Sequence, residues 1–233
     1  MNLNQVFQNF KGSIRPTIII LSLVLVPIIA IQAQPIISSQ APTDTQAEKL
    51  IRTLEAKDCT NAKALATSVK SVDYKDKEGI NLLIYASFFN CTDVVKTLLD
   101  KGAILDIQNT NGTTALSYAS QNGFTEVVKL LVNKGAKLDL QNNDGATALF
   151  MASKNGFTEI AKLLLDKGAT VDIQRLDGAT ALIFASQNGQ TEVVKLLLDK
   201  GANPGLKTRF GKTALDVAVN SEIKNLLNSY QKK

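Results

Sequence analysis

Apolar positions return along this chain at a fixed interval. Leu83, Leu116, Leu149, Leu182 and Leu215 stand 33 residues apart, and so do Ala86, Ala119, Ala152, Ala185 and Ala218. Gly79, Gly112, Gly145, Gly178 and Gly211 keep the same step, as do Gly102, Gly135, Gly168 and Gly201. Whole phrases recur with them: "QNGFTEVVKLLVNKGA" at 121–136, "KNGFTEIAKLLLDKGA" at 154–169 and "QNGQTEVVKLLLDKGA" at 187–202. Within one period the spacing of Leu116 and Ala119 predicts one face of a short helix. Val127, Leu130 and Leu131 predict the apolar face of a second. Asn111-Gly112 opens the period with a tight turn, as Asp144-Gly145 and Asp177-Gly178 do in later copies. Thr114 is an N-cap for the first helix, and Gly123 ends it in the left-handed region. Asn90 replaces that glycine in the first copy, a side chain that tolerates the same conformation. Thr125 is expected to cap the second helix, with Glu126 and Lys134 placed to suit its dipole and Gly135 closing it. "AKLDLQNNDG" then alternates as a short extended arm. Each period therefore predicts an arm, a turn, a helix, a turn and a helix. Two short helices cannot cover their own apolar faces, but stacked copies cover one another.

The period and the line "G-x-T-A-L…A…N-G…T-E-V-V-K-L-L-L-D-K-G-A" resemble the ankyrin repeat. The family has Thr-Pro-Leu-His where this chain has Thr-Ala-Leu followed by Ser117, Phe150, Ile183 or Asp216. The resemblance implies an all-α ankyrin-repeat solenoid of helix-turn-helix units with short β-hairpin-like arms. It spans 47–230: an N-terminal cap at 47–75, full repeats at 76–108, 109–141, 142–174 and 175–207, and a C-terminal cap at 208–230. Lys224, Asn225 and Asn228 give the last helix the polar outer face that a solenoid end needs.

Residues 1–33 read as an export signal, with Lys11 and Arg15 before an apolar run from Ile18 to Ile31 and a cleavage site after Ala33. The alternative is an uncleaved N-terminal membrane anchor. "QPIISSQAPTDT" opens a flexible linker at 34–46. Of the 26 basic and 21 acidic residues, the signal holds two basic and no acidic ones, so the mature chain is nearly balanced at +3. Cys59 and Cys91 stand in similar contexts, "DCTN" and "NCTD". An exported chain with two cysteines permits one disulfide. Packed helices lie roughly 8–10 Å apart, further than bridged Cα atoms, but the cap is one residue shorter than a full unit. We expect the bridge, on compartment over geometry.

The chain has no His, which removes the commonest general base and metal ligand. A calcium loop ending at Gly112 or Gly145 would begin on Ile107 or Leu140 and fails. We expect no enzyme, no cofactor and no metal. Lys96, Lys129, Lys162 and Lys195 form a ladder matched by Asp93, Glu126, Glu159 and Glu192 three residues earlier. This reads as a solvated outer face rather than a nucleic-acid surface. Tyr85, Tyr118, Met151, Phe184 and Val217 share one helix position and read as core.

The family's role implies a non-catalytic protein-protein interaction scaffold, here exported to the bacterial envelope. The chain is expected as a monomer with a protein partner, and with no nucleic acid or membrane contact once the signal is cleaved. Alternatives are a structural or redox-accessory envelope protein, or an inhibitor or immunity protein that blocks an exported enzyme. Specificity can reside where the copies differ. At the turn tips and helix ends those positions are Phe88, Phe89, Thr110, Asn111, Thr113, Asn143, Asp144, Leu176, Asp177, Arg209 and Phe210. Ile80, Ala146, Ala179 and Lys212 share the post-glycine position of Thr113. In the family these places line the concave surface.

Overall fold

The computed structural model describes residues 45–231. The segment read as an export signal, 1–33, and nearly all of the one read as a linker, 34–46, lie outside those residues. Twelve helices follow one another in the described part, and no strand longer than the single bridge Lys75–Asn81 forms there. An N-terminal pair, α1 (Thr45–Glu55) and α2 (Cys59–Ser68), precedes α3 (Leu82–Phe88) and α4 (Thr92–Asp100). Next come α5 (Ala115–Asn122) with α6 (Thr125–Asn133), then α7 (Ala148–Lys154) with α8 (Thr158–Asp166). The last four are α9 (Ala181–Gln187), α10 (Thr191–Asp199), α11 (Ala214–Val217) and α12 (Ser221–Gln231). Helix α1 begins at Thr45, inside the segment read as linker. Among the described residues no helix is long and apolar enough to cross a membrane.

First helices start alike. Asn81, Thr114, Thr147, Thr180 and Thr213 sit in extended backbone, and each side chain accepts from the amide three residues on. That bond satisfies one of the amides a helix leaves open at its N-terminus. The second helices of the four full units start differently. Thr125 is the first helical residue rather than the cap, and the capping residue Phe124 makes no side-chain cap bond. The entry is instead set by the backbone, with the amide of Phe124 donating to the Ala119 carbonyl at 3.0 Å. That path needs φ of +77° at Gly123, and a Cβ there would lie 2.6 Å from Cε1 of Phe157 in the next unit. In the four full units each second helix ends in a paired return. The amide of Ala136 donates to Leu131 at 3.1 Å and that of Gly135 to Val132 at 3.0 Å, the Schellman arrangement.

The apolar faces meet between neighbouring helices. Leu50, Leu83, Leu98, Leu131, Leu164, Leu182 and Leu197 are fully buried in one continuous core. First helices pack on one another more extensively than second helices do. Polar ties repeat at the period beside this core. Gln108 Nε2 donates to the Gly112 carbonyl at 2.7 Å and, across the unit boundary, to that of Gln141 at 2.9 Å. Gln141 and Gln174 repeat the pattern toward Gln174 and Lys207. The carboxylates of Asp73, Asp106, Asp139 and Asp172 accept from the amides of Ile104, Lys137, Thr170 and Asn203 in the following unit. Buried and half-buried backbone groups in the arms are thus satisfied by the neighbour.

A disulfide joins Cys59 and Cys91 with their Cα atoms 5.2 Å apart. Cys59 is the first residue of α2 and Cys91 caps α4. The two helix N-termini approach more closely than helix axes do, which resolves the distance objection drawn from axis spacing. The bridge ties the N-terminal pair to the first full unit.

Two outcomes follow from this architecture. Gly123→Ala forces a side chain into both the left-handed region and the Phe157 ring, and should cost about 2–4 kcal/mol. At Gly102 φ is +85° and a Cβ would meet no atom within 4 Å. Gly102→Ala should therefore cost only about 1 kcal/mol. Chemical denaturation of both variants measures the difference, and equal losses would deny the ring contact. Second, thiol labelling of unreduced protein should find neither cysteine. Cys59→Ser with Cys91→Ser should lose roughly 2–4 kcal/mol, with amide exchange rising first in α1 and α2.

Candidate protein-binding face

The arms turn through tight loops, and each loop is stitched to the next. The amides of Thr110, Asn143, Leu176 and Arg209 donate to the carbonyls of Glu78, Asn111, Asp144 and Asp177 at 2.8–3.0 Å. Each tip is also braced from within. Asn109 Oδ1 accepts from the amides of Asn111 and Thr113, at 3.0 and 2.9 Å, and its Nδ2 donates to the Tyr118 hydroxyl at 3.1 Å. Asn142 serves Asp144 and Ala146 in the same way, and Asp76 serves Glu78 and Ile80. A rigid row of tips results, with Thr110, Asn111, Asn143, Asp144, Leu176, Arg209 and Phe210 placed along it and Asp177 half-buried.

Thr113 does not belong to that surface. It is 6% exposed, because the residue after the turn glycine must return its amide to Asn109 and face the core side. Ala146 and Ala179 are buried for the same reason, and Ile80 packs against the core, while Lys212 at the chain's last turn is exposed. The varied position after each glycine is therefore mainly a packing site. Asn143 is not free, since its Nδ2 donates to the Thr110 carbonyl at 2.9 Å.

Behind the tips lie the first helices. Tyr118, Met151, Phe184 and Val217 are half-buried rather than core, so the column read as interior forms a partly open apolar floor; only Tyr85 is fully covered. Burial and its bond to Asp76 push the Tyr85 phenol well above its usual range. Phe88 and Phe89, both half-buried, meet edge-to-face at 4.9 Å, and Phe88 meets Tyr118 at 5.5 Å. Phe89 also packs against the core. Further along, the Arg175 guanidinium sits over the Phe150 and Phe184 rings, 5.1 and 5.3 Å from their centroids, with Lys154 Nζ 5.9 Å from the latter. Arg175 escaped sequence reasoning. Its signal was the break it makes in the series Asp76, Asn109, Asn142, where every other full unit places a turn-bracing acceptor. Asp177 Oδ1 takes over that task by accepting from Ala179 at 3.1 Å.

On the opposite face several charges are paired. Lys129 bridges Glu126 and Glu159 at 2.9 and 3.1 Å, Lys63 meets Asp93 at 2.8 Å, and Lys134 meets Asp100 at 2.9 Å. Hydrogen bonds from Lys162 and Lys200 hold the Asp166 carboxyl down at about 2. Among the described residues no three His, Cys, Asp or Glu side chains group as metal ligands.

Residues 83–175, 127–208 and 167–232 match the family model described as ankyrin repeats (3 copies). A solved structure titled as the ankyrin repeat domain of Bcl-3, a unique member of the IkappaB protein family, is similar at 29% identity and a TM-score of 0.67. The match covers 77% of this chain and 81% of that one. A search of curated proteins found no significant match.

The bracing role of Asn109 separates scaffold from surface. Asn109→Ala strands two arm amides and removes one bond to the Tyr118 hydroxyl, and should destabilise the fold by about 2–4 kcal/mol. Thr110→Ala, on the exposed tip, should stay within about 0.5 kcal/mol of wild type. Urea titration checks both.

Proposed function

Because the chain belongs to the ankyrin-repeat family, a family of interaction modules, we propose that it is a non-catalytic scaffold that binds a protein partner through its arm tips and first-helix face. The observation that carries this reading is the contrast between the two faces. Second helices present a mixed-charge surface, paired at Lys63, Lys129 and Lys162, which gains little from a partner. The tips present Leu176 and Phe210 at 60% and 85% exposure on a braced backbone. A large side chain held out on a rigid tip is suited to anchoring an interface, since little freedom is lost on binding. Phe88 and Tyr118 extend the apolar surface at the other end.

Pull-down from the cell envelope, followed by calorimetry with the captured protein, tests this. Leu176→Ala and Phe210→Ala should each weaken binding by about 1–3 kcal/mol without lowering the melting temperature. Phe89→Ala should weaken binding and also destabilise, because Phe89 packs on the core. Lys195→Ala on the second-helix face should change nothing measurable. Loss of binding from Lys195→Ala alone would reverse the assignment of faces, and absence of any stoichiometric partner would favour a purely structural role.

The proposal includes export. The apolar run ending before Ala33 and the Cys59–Cys91 bridge both suit an oxidising compartment outside the cytoplasm. The mature protein should begin at Gln34 in a periplasmic or secreted fraction, as read by N-terminal sequencing. An intact Met1 found in membranes would identify the segment as an anchor.

A further inference from the structure

The last arm differs from the others in charge. Residues 206–212 read LKTRFGK, with three cations and no acid. The equivalent stretches 107–113 and 140–146, IQNTNGT and LQNNDGA, hold no cation, and 173–179, IQRLDGA, holds Arg175 against Asp177. Lys207, Arg209 and Lys212 are all exposed. Among the described residues none of them joins an ion pair, whereas Lys63, Lys129, Lys134, Lys162 and Lys200 on the second-helix side do. The nearest carboxylate in the sequence, Asp216, is occupied by the Thr213 amide and hydroxyl, each at 2.8 Å. Between these cations stands Phe210, and the bond from the Arg209 amide to the Asp177 carbonyl at 2.8 Å joins its arm to that of Leu176. Arg175 lies behind the tips, against Phe150 and Phe184. Its Nε has no hydrogen-bond partner and is 3.6 Å from Asp177 Oδ1.

We propose that this corner, formed by Arg175, Leu176, Lys207, Arg209, Phe210 and Lys212, docks an acidic protein segment that carries apolar side chains. Its carboxylates pair with Lys207, Arg209 and Lys212 and compete with Asp177 for Arg175, and its apolar side chains pack on Leu176 and Phe210. The inference rests on the arms being the recognition surface and adds the chemistry of what they recognise. Charge complementarity selects an anionic occupant, because the cations of this arm outnumber the carboxylates near them, Asp177 beside Arg175 and Asp216 near Lys207 and Lys212, and so repel a basic one. The guanidinium of Arg175 favours a chain over a flat anionic surface. It is set back against the first helices with its side chain 22% exposed, so a narrow extended segment can approach it more closely than a bilayer touching the tips. Its planar fork also suits a carboxylate.

The test pans a random peptide library displayed on phage against the full chain, then measures selected peptides by fluorescence anisotropy at low and high salt. Selected peptides should combine Asp or Glu with Leu, Ile or Phe and weaken steeply as salt rises. Arg209→Glu with Lys212→Glu should reduce their affinity about tenfold or more, and Lys195→Glu should not. Both charged tips are exposed, and circular dichroism confirms that the variants fold. Neutral or basic peptides that depend on Phe89 would overturn this inference and leave the arm reading standing. Acidic peptides indifferent to Arg209→Glu with Lys212→Glu would overturn it too, and no selected peptide at all would overturn both readings. Binding to phosphatidylglycerol vesicles, lost in the same double variant, would assign the corner to a lipid surface and overturn the proposal.

Discussion

Every unit of this protein depends on its neighbour for coverage. A pair such as α5 and α6, eight and nine residues long, has too little surface of its own to enclose Leu116, Val127 and Leu131. Isolated helices of that length are also marginal in water. The next pair supplies what is missing, both as apolar contact and as hydrogen-bond partners for the arms. Gln108, Gln141 and Gln174 each reach across a boundary, as do Asp73, Asp106, Asp139 and Asp172. Stability is therefore approximately a sum of unit and interface contributions along one dimension. The ends need special treatment under this constraint. At the N-terminal end a disulfide fastens the outermost pair, and at the C-terminal end α11 shrinks to four residues while polar side chains cover α12.

The same constraint determines where the chain is free to vary. Positions that face a neighbour repeat closely, since a change there disturbs two units. Arm tips and first-helix ends face solvent and can diverge. Arg175 shows how far divergence goes without loss of the arm: Asp177 assumes the bracing bond, and the released position carries a cation to the aromatic floor. Divergence in such a protein is thus a pattern drawn on a repeated geometry.

Much of this was legible in the sequence, because coverage by a neighbour imposes a period. The Leu, Ala and Gly series defined the helices, and Thr114 and Gly123 marked the ends of α5 as read. What the pattern could not convey was direction. Variation after the turn glycine looked like surface, yet Thr113, Ala146 and Ala179 point inward because the turn returns the chain toward the core. The column from Tyr118 to Val217 looked like core from its apolar character, yet it is half open. Thr125 had the chemistry of a cap, but the backbone path through Gly123 had already placed it inside the helix. Periodicity also says nothing of pairs between different columns, so the stacking of Arg175 on Phe150 and Phe184 emerged only in three dimensions.

The central claim is that recognition and scaffolding occupy opposite faces of one stack. Hydrogen–deuterium exchange of the full chain, with and without its copurified protein partner, tests that division most directly. Protection on binding should appear in the arms from 74–80 through 206–212 and at the ends of the first helices. The second helices, including the stretch around Lys129, Lys162 and Lys195, should exchange as before. Protection concentrated in the second helices, with arms unchanged, would contradict the account.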